Sequence, residues 1–455
     1  MESVKVLIPV GACGAGISDE AFWEGMQMQP DCIAMDAGST DSGPAYLATG
    51  TCKYSDKAIE HDLALSIKGA VEADIPLFIS SCGTCGSDSS LEHFAEIADR
   101  IIRENGYRVK VATISSQMDP EVLERKYDEG RIRPLPGAPE ITRDVFRSCS
   151  NVVGLMGAEP FMEAYRNGAR IVLAGRCTDT GVIAAYPLMK GLPEGPCWHG
   201  AKVAECGSQC TDTAGICVLI SFDEEGFTVI PSSSKANATP YTVSAHLLYE
   251  NTDPFRLTEP SGSFLTADAV YSAVGNACRV TNSGFEHAKV YTMKLEGAKL
   301  AGYQNISIVG IADKEVLRDI PSFLKFMRAY VGGVLDKHGF DRSTYEYDLR
   351  CYGYDAVVPL LEGQTYVPRE VGLVLTVTAD TQQIATAVAK EFNPYLLHLP
   401  KDAQSARKLL PTYAFPFSPV DTPRGPVYEF VLHHVVEVDD PLELVRIQYR
   451  QYGEV

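Results

Sequence analysis

The chain has 455 residues, 45 % hydrophobic and 22 % charged, which is the make-up of a soluble globular protein with room for two or three domains. A formal net charge of -19 weighs against nucleic acid or anionic membrane as the main partner, since both would repel it, but leaves open an anionic small-molecule substrate in a locally positive site. No leader-like segment and no apolar run of bilayer length is seen, and the odd count of 13 cysteines shows no compact framework, so a cytoplasmic protein with mostly buried, reduced thiols is expected.

Val4 to Val10 reads as a short apolar strand, followed by GACGAG and a helix that Ser18 is placed to cap. Cys32 to Met35 is a strand running into DAGSTDSGP (Asp36 to Pro44). A helix is predicted from Ser55 to Ala73, with Ile59, Leu63, Ile67, Ala70 and Val71 recurring at helical spacing. Pro76 to Ser80 is a buried strand. Small residues fill Ser81 to Ser90, and a helix opens near Leu91. Small side chains before a helix N-terminus let main-chain N–H groups approach a ligand, so this stretch is expected to cradle an anion through Ser81, Cys82, Gly83, Gly86, Ser87 and Asp88. It matches neither standard nucleotide fingerprint.

Val109 to Ile114 is the next strand, then SSQMDP, a helix over Glu121 to Glu129, and a proline-rich excursion from Arg131 to Pro139. Val152 to Leu155 ends in MGAEP, and Ile171 to Ala174 in GRCTDTG. Alternating strands and helices predict a doubly wound, mostly parallel α/β sheet over residues 1–215, with all strand-to-helix loops at one edge. Ligands bind outside the carboxyl ends of such strands. Beyond Gly215 the pattern changes. Ile216 to Phe222 and Phe227 to Ile230 read as a hairpin. Later strands are placed at Val290 to Leu295, Ile306 to Ile311, Tyr345 to Cys351, Gly372 to Thr378 and Tyr428 to Val436, with helices at Val316 to Lys337 and Thr381 to Leu397. Residues 216–455 are therefore expected to form an α+β domain packing over the first.

Asp36, Asp41 and Asp179 follow strand ends at the predicted edge, with Glu159 nearby. Such carboxylates can act as general acid and base, can hold a hard cation such as Mg²⁺, or can simply cap loops. No metal ligand is assigned and no cofactor is identified. Gly11, Gly38, Ser39, Thr40, Ser42, Thr178 and Thr180 complete the expected binding rim. Arg176, between a buried strand and a loop, could clamp a carboxylate or phosphate, or pair only with Asp179. Cys82 and Cys85 form C-x-x-C at a strand-to-helix junction, where a thiol can be activated, although inert buried cysteine is the commoner outcome. His199, Lys202 and Glu205 share a face if WHGAKVAE is helical, which suits either a proton shuttle or a solvated stripe.

Several stretches, taken together, resemble the acyclic terpene utilisation protein A (AtuA-like) family: DAGSTDSGP, MGAEPF (Met156 to Phe161), AGRCTDTGVIAA (Ala174 to Ala185), WHGAKVAECG (Trp198 to Gly207), HLLYENTDPFRL (His246 to Leu257), KLEGA (Lys294 to Ala298), AFPFSP (Ala414 to Pro419) and HHVVEVDDPLEL (His433 to Leu444). The resemblance implies a place among enzymes of carboxylic-acid and acyl-CoA catabolism. Relatives often carry a small domain fused or encoded beside them, so a separate small partner subunit is one expectation. Cys13, Cys82, Cys85 and Cys177 stand where relatives are expected to carry small non-thiol residues, which argues against a mechanism needing those thiols. The combined expectation is a homo-oligomeric lyase that adds or removes water beside a carbonyl, with Asp36, Asp41 or Asp179 moving the proton. A hydrolase or acyl-transferase using Cys82 or a loop serine, and a non-catalytic acyl-CoA-binding or partner-organising subunit, are the alternatives.

Overall fold

The computed structural model describes residues 3–249, 251, 253–361, 366–399 and 414–453, so Glu250 and Thr252 of the HLLYENTDPFRL stretch lie outside it. The chain divides into two units, Met1–Lys299 with Glu429–Val455, and Leu300–Tyr428. Strands of the first unit are β1 (Val4–Ile8), β2 (Cys32–Asp36), β3 (Leu77–Ser80), β4 (Val109–Ser115), β5 (Ile132–Pro134), β6 (Asn151–Leu155), β7 (Ile171–Ala174), β8 (Val218–Phe222) and β9 (Gly226–Pro231). They continue with β10 (Arg256–Glu259), β11 (Gly262–Leu265), β12 (Val270–Val274), β13 (Ala277–Thr281), β14 (Gly284–His287) and the opening part of β15 (Tyr291–Ile311).

Among the described residues, a ten-stranded sheet of order β12-β13-β9-β8-β1-β2-β3-β7-β4-β20 spans this unit, β20 being Arg446–Tyr452. Its centre, β1-β2-β3-β7-β4, is parallel. Successive side chains of a strand leave opposite faces, and the sheet shows it as two separate cores. Val6, Ile8, Ala34, Phe78, Ile114 and Val172 meet the helices Glu159–Arg166, Gly181–Met189 and Glu194–Ala204 on one side. Leu7, Ile33, Met35, Leu77, Ile79, Val111 and Leu173 meet Asp19–Gln27, Asp56–Ala73 and Asp88–Glu104 on the other. The fold is α/β, with helices wound on both faces.

Several elements differ from expectation. The pattern change near 215 is not a unit boundary: β8 pairs antiparallel with β1, Val4 opposite Phe222, and so extends the same sheet. β6 leaves the parallel sheet and pairs antiparallel with β15, Lys294 opposite Leu155. The proline-rich excursion contains β5, which pairs with β19 (His434–Val438). The helix after the small-residue loop begins at Asp88 rather than Leu91, because the Ser87 hydroxyl accepts the N–H of Ser90 at 3.4 Å.

In the second unit, the later part of β15 pairs with β17 (Val371–Ala379), and β17 with β16 (Tyr345–Tyr352). Val309, Leu373, Leu375 and Val377 pack on Phe323 and Met327 of the helix Ile320–Lys337 and on Val388 and Phe392 of the helix Gln382–His398. The strands expected separately at 290–295 and 306–311 are one continuous strand. The strand expected at 428–436 is instead split between β18 (Ala414–Phe430) and β19.

Candidate functional site

The loops that leave the parallel strands are bonded to one another. Cys13 N–H donates to the Asp36 carbonyl at 2.8 Å, Ala37 N–H to Ser80 at 2.9 Å, and Ser81 N–H to Gly175 at 2.9 Å. Ser116 Oγ donates to the Arg176 carbonyl at 2.9 Å, and Met156 bridges to Cys177. Gly38 (φ +148°) lies so close that a Cβ there would meet Thr84 Cα at 2.4 Å, and one on Gly86 would meet Arg176 N at 2.2 Å. Thr84 itself sits at φ 88°, a conformation that costs a β-branched residue about 1–3 kcal/mol and that persists where the surroundings enforce it. A cleft of about 120 Å³ opens at this rim, lined by Gly11, Asp36, Gly38, Ser39, Asp41, Ser42, Lys53, Tyr54, Thr84, Asp179, Glu205 and Cys206, with Tyr249. A larger cavity of about 390 Å³ lies between the helix Asp88–Glu104 and β4–β20. Four of its charged groups are taken up in the ion pairs Arg446–Asp88 (2.6 Å) and Arg450–Asp99 (3.3 Å), and the smaller cleft is the one that the strand-end loops line.

Asp36 ends β2 and is 5 % exposed; Ser80 Oγ donates to its Oδ1 at 2.6 Å. Burial above all, then the Asp179 carboxylate, push its carboxyl up to about 8, against the pull of Arg176 and the Ser80 hydroxyl. Asp36 therefore keeps its proton at neutral pH. Arg176 is buried and donates from Nε to Glu296 Oε2 at 3.0 Å and from Nη1 to Asp179 Oδ1 at 3.2 Å, Ser81 Oγ at 3.1 Å and the Cys177 carbonyl at 3.1 Å. Burial would raise Glu296, but Arg176 and then Lys294 outweigh it and hold that carboxylate below its ordinary range. Thr40 Oγ1 donates to the other Glu296 oxygen at 3.0 Å.

A second group of carboxyls borders the first. Glu205, 4 % exposed, receives the Lys202 ammonium, yet burial pushes it up to about 8. Glu259 at the end of β10 is pushed up to about 7 by burial and accepts from Thr180 Oγ1 at 2.6 Å, while its Oε2 has no partner.

Comparison with known protein families matches residues 53–424 to the acyclic terpene utilisation family protein AtuA. The chain belongs to the AtuA family. That membership ties it to acyclic terpene utilisation. No curated protein and no solved structure matches it. Arg176, Asp179, Glu205, His246, Glu259 and Glu296 lie inside the AtuA match; Gly11, Asp36 and the loop to Ser42 precede it.

Not every expected site residue of this AtuA-family chain joins the cleft. His199 is fully buried, with Nδ1 2.7 Å from Ser283 Oγ, Nε2 3.1 Å from Tyr271 Oη, and Phe227 and Phe264 against its ring. Burial lowers its pKa to about 3, so it is a neutral core histidine, turned away from Lys202 and Glu205. Glu159 accepts from Tyr291 Oη at 2.8 Å, apart from the cleft. The anion cradle is not open: Ser81 and Cys82 give their N–H groups to Gly175 and Ala174, and Asp88 gives its own to Gln117 at 2.8 Å. Asp88 itself pairs with Ser115 and Arg446, and Ser87 is spent on the helix cap. Gly83 packs on Ser90, and Thr178 Oγ1 lies 3.2 Å from Thr180 Oγ1. Cys82 is a free, fully buried thiol that burial raises well above its ordinary value, and Cys85 is pushed up to about 12, so neither is an activated nucleophile. Glu259, Glu296, Lys53 and Tyr54 carried no sequence signal of a role. Among the described residues no helix is long and apolar enough to cross a membrane.

Proposed function

We propose that the strand-end cleft performs acid–base chemistry of the hydro-lyase type on a small carboxylate or acyl-CoA thioester. The observation that carries the reading is two carboxyls at one cleft in different surroundings: Asp36 is buried against Ser80 with its carboxyl pushed up to about 8, whereas Asp179 is a third exposed and 3.2 Å from the Arg176 guanidinium. Two carboxyls in such unlike surroundings can divide the acid and base roles. In the dehydrating direction, Asp179 takes the proton beside the carbonyl. Asp36 gives its proton to the departing hydroxyl, which leaves as water, and the double bond forms between the two carbons. Lys53 at the cleft wall, and main-chain N–H groups of the Gly38–Ser39 turn, would steady the enolate oxygen. Arg176 positions Asp179, donating to it from Nη1 at 3.2 Å while Nε is held by Glu296.

Asp36, Asp41 and Asp179 line one cleft, but among the described residues they are not a group whose oxygens lie close enough to share one ion, and Asp36 keeps its proton, so no Mg²⁺ step is assigned to them. A cysteine nucleophile has less support, since the thiols of Cys82 and Cys85 are buried and protonated. Family association extends the reading to a cytoplasmic homo-oligomer working beside a separate small subunit, with no nucleic-acid or membrane partner. A thermal-shift screen of carboxylic acids and CoA esters, with and without Mg²⁺, identifies the ligand class, because a ligand bound only by the folded chain raises its stability. With a hit in hand, Asp36→Asn and Asp179→Asn should each fold and each lose turnover; full turnover in both overturns the reading, and binding without turnover in the wild type assigns the chain to the non-catalytic class.

A further inference from the structure

Where Glu205 and Cys206 line the cleft, the end of the helix Glu194–Ala204 and the helix Pro240–His246 bring unlike donors together. An oxygen of Glu205, the sulfur of Cys206 and a ring nitrogen of His246 all lie within 4.8 Å of one another. The His246 side chain is 3 % exposed, its Nε2 finds no hydrogen-bond partner, and that nitrogen stands 4.0 Å from Glu205 Oε1. A buried ring nitrogen left unpaired is destabilising, so a buried imidazole beside a carboxylate and a thiol is an arrangement that calls for a further partner. Tyr249 stacks on the imidazole at 5.7 Å and 24°, which holds the plane of the ring. The approach of the Cys206 main chain is equally built in: a Cβ on Gly11 would meet Cys206 Cα at 2.9 Å, so only glycine there lets the segment close on the cleft.

We propose that Glu205, Cys206 and His246 form a binding site for a borderline divalent transition ion, with Zn²⁺ as the type case, whose remaining coordination position faces the strand-end cleft. Mixed sulfur, nitrogen and oxygen ligands select such an ion over Mg²⁺, which prefers oxygen alone. Three protein ligands leave a fourth position for water or substrate, and Glu205 and Cys206 already line the cleft. As the metal–sulfur bond forms, the Cys206 thiol proton passes to solvent, and the ion replaces the Lys202 ammonium as the counter-charge of Glu205. The site adjoins the acid–base pair but does not rest on it, and binding is read without turnover.

The test uses the full chain, dialysed against chelator and titrated with Co²⁺ and then Zn²⁺. One equivalent of Co²⁺ should produce the near-ultraviolet thiolate charge-transfer band, and Zn²⁺ should displace it. Cys206→Ser should abolish the band, His246→Gln should weaken Zn²⁺ binding about 100-fold or more, and Asp36→Asn should leave the band intact. Lys202→Met, which removes the competing ammonium, should tighten binding. Absence of the band in the wild type overturns the proposal, as does a Cys206→Ser protein that binds Zn²⁺ as tightly as the parent. If His246→Gln fails to fold, Cys206→Ser and Lys202→Met decide the matter.

Discussion

Asp36→Asn separates the stability of the fold from the chemistry of the cleft. The carboxyl of Asp36 titrates at about 8 in the folded protein against an ordinary 3.8. Between those values the folded state holds a proton that the unfolded chain has released. The contribution of this group is therefore fully present below the lower value and is lost as pH rises to the upper one. At about 1.4 kcal/mol per unit over roughly four units, the loss is of the order of 6 kcal/mol. Asparagine keeps the shape, still accepts from Ser80 Oγ, and never takes a charge. The variant should thus match the wild type near pH 4 and exceed it by a margin growing to about 6 kcal/mol near pH 8, flat beyond. Urea unfolding followed by circular dichroism across that range measures the difference directly. A difference that does not change with pH would show that Asp36 ionises like an ordinary carboxyl, and the division of acid and base roles would fall with it.

Glu296→Gln leaves the buried Arg176 guanidinium short of its main counter-charge and should cost about 3–5 kcal/mol, read from the denaturation midpoint. Gly38→Ala pushes the loop carrying Asp41 off Thr84, and a displacement of that size should cost on the order of 100-fold in turnover while far-ultraviolet circular dichroism stays native. His199→Gln should keep turnover within about twofold and lower the melting temperature, since the ring fills an aromatic pocket; loss of turnover with unchanged melting would return His199 to the catalytic group.

The rim was legible because it is written locally. Apolar runs ending in glycine and aspartate mark strand ends, Ser18 and Ser55 cap their helices as expected, and the right-handed winding rule brings the strand ends to one side. What local pattern does not carry is who answers whom across the chain. Arg176 finds Glu296 from 120 positions away and Thr180 finds Glu259 from 79, so the sequence offered Asp179 as a partner for Arg176 but not Glu296. The same holds for β6: its apolar run suits a parallel strand as well as an antiparallel one, and only its partner distinguishes them. His199 and Lys202 do share the helix Glu194–Ala204, but Ser283, Tyr271 and the rings around His199 take up its imidazole while Lys202 pairs with Glu205.

The tie between Arg176 and Glu296 also sets an order of events during synthesis. A ribosome delivers the guanidinium long before the carboxylate that answers it, and until then only Asp179 is at hand. The cleft therefore cannot reach its working charge balance on a nascent chain that stops short of β15. A product that stops short of β15 leaves a buried guanidinium without its main carboxylate, so the charge balance at the strand ends depends on chain made 120 residues after Arg176.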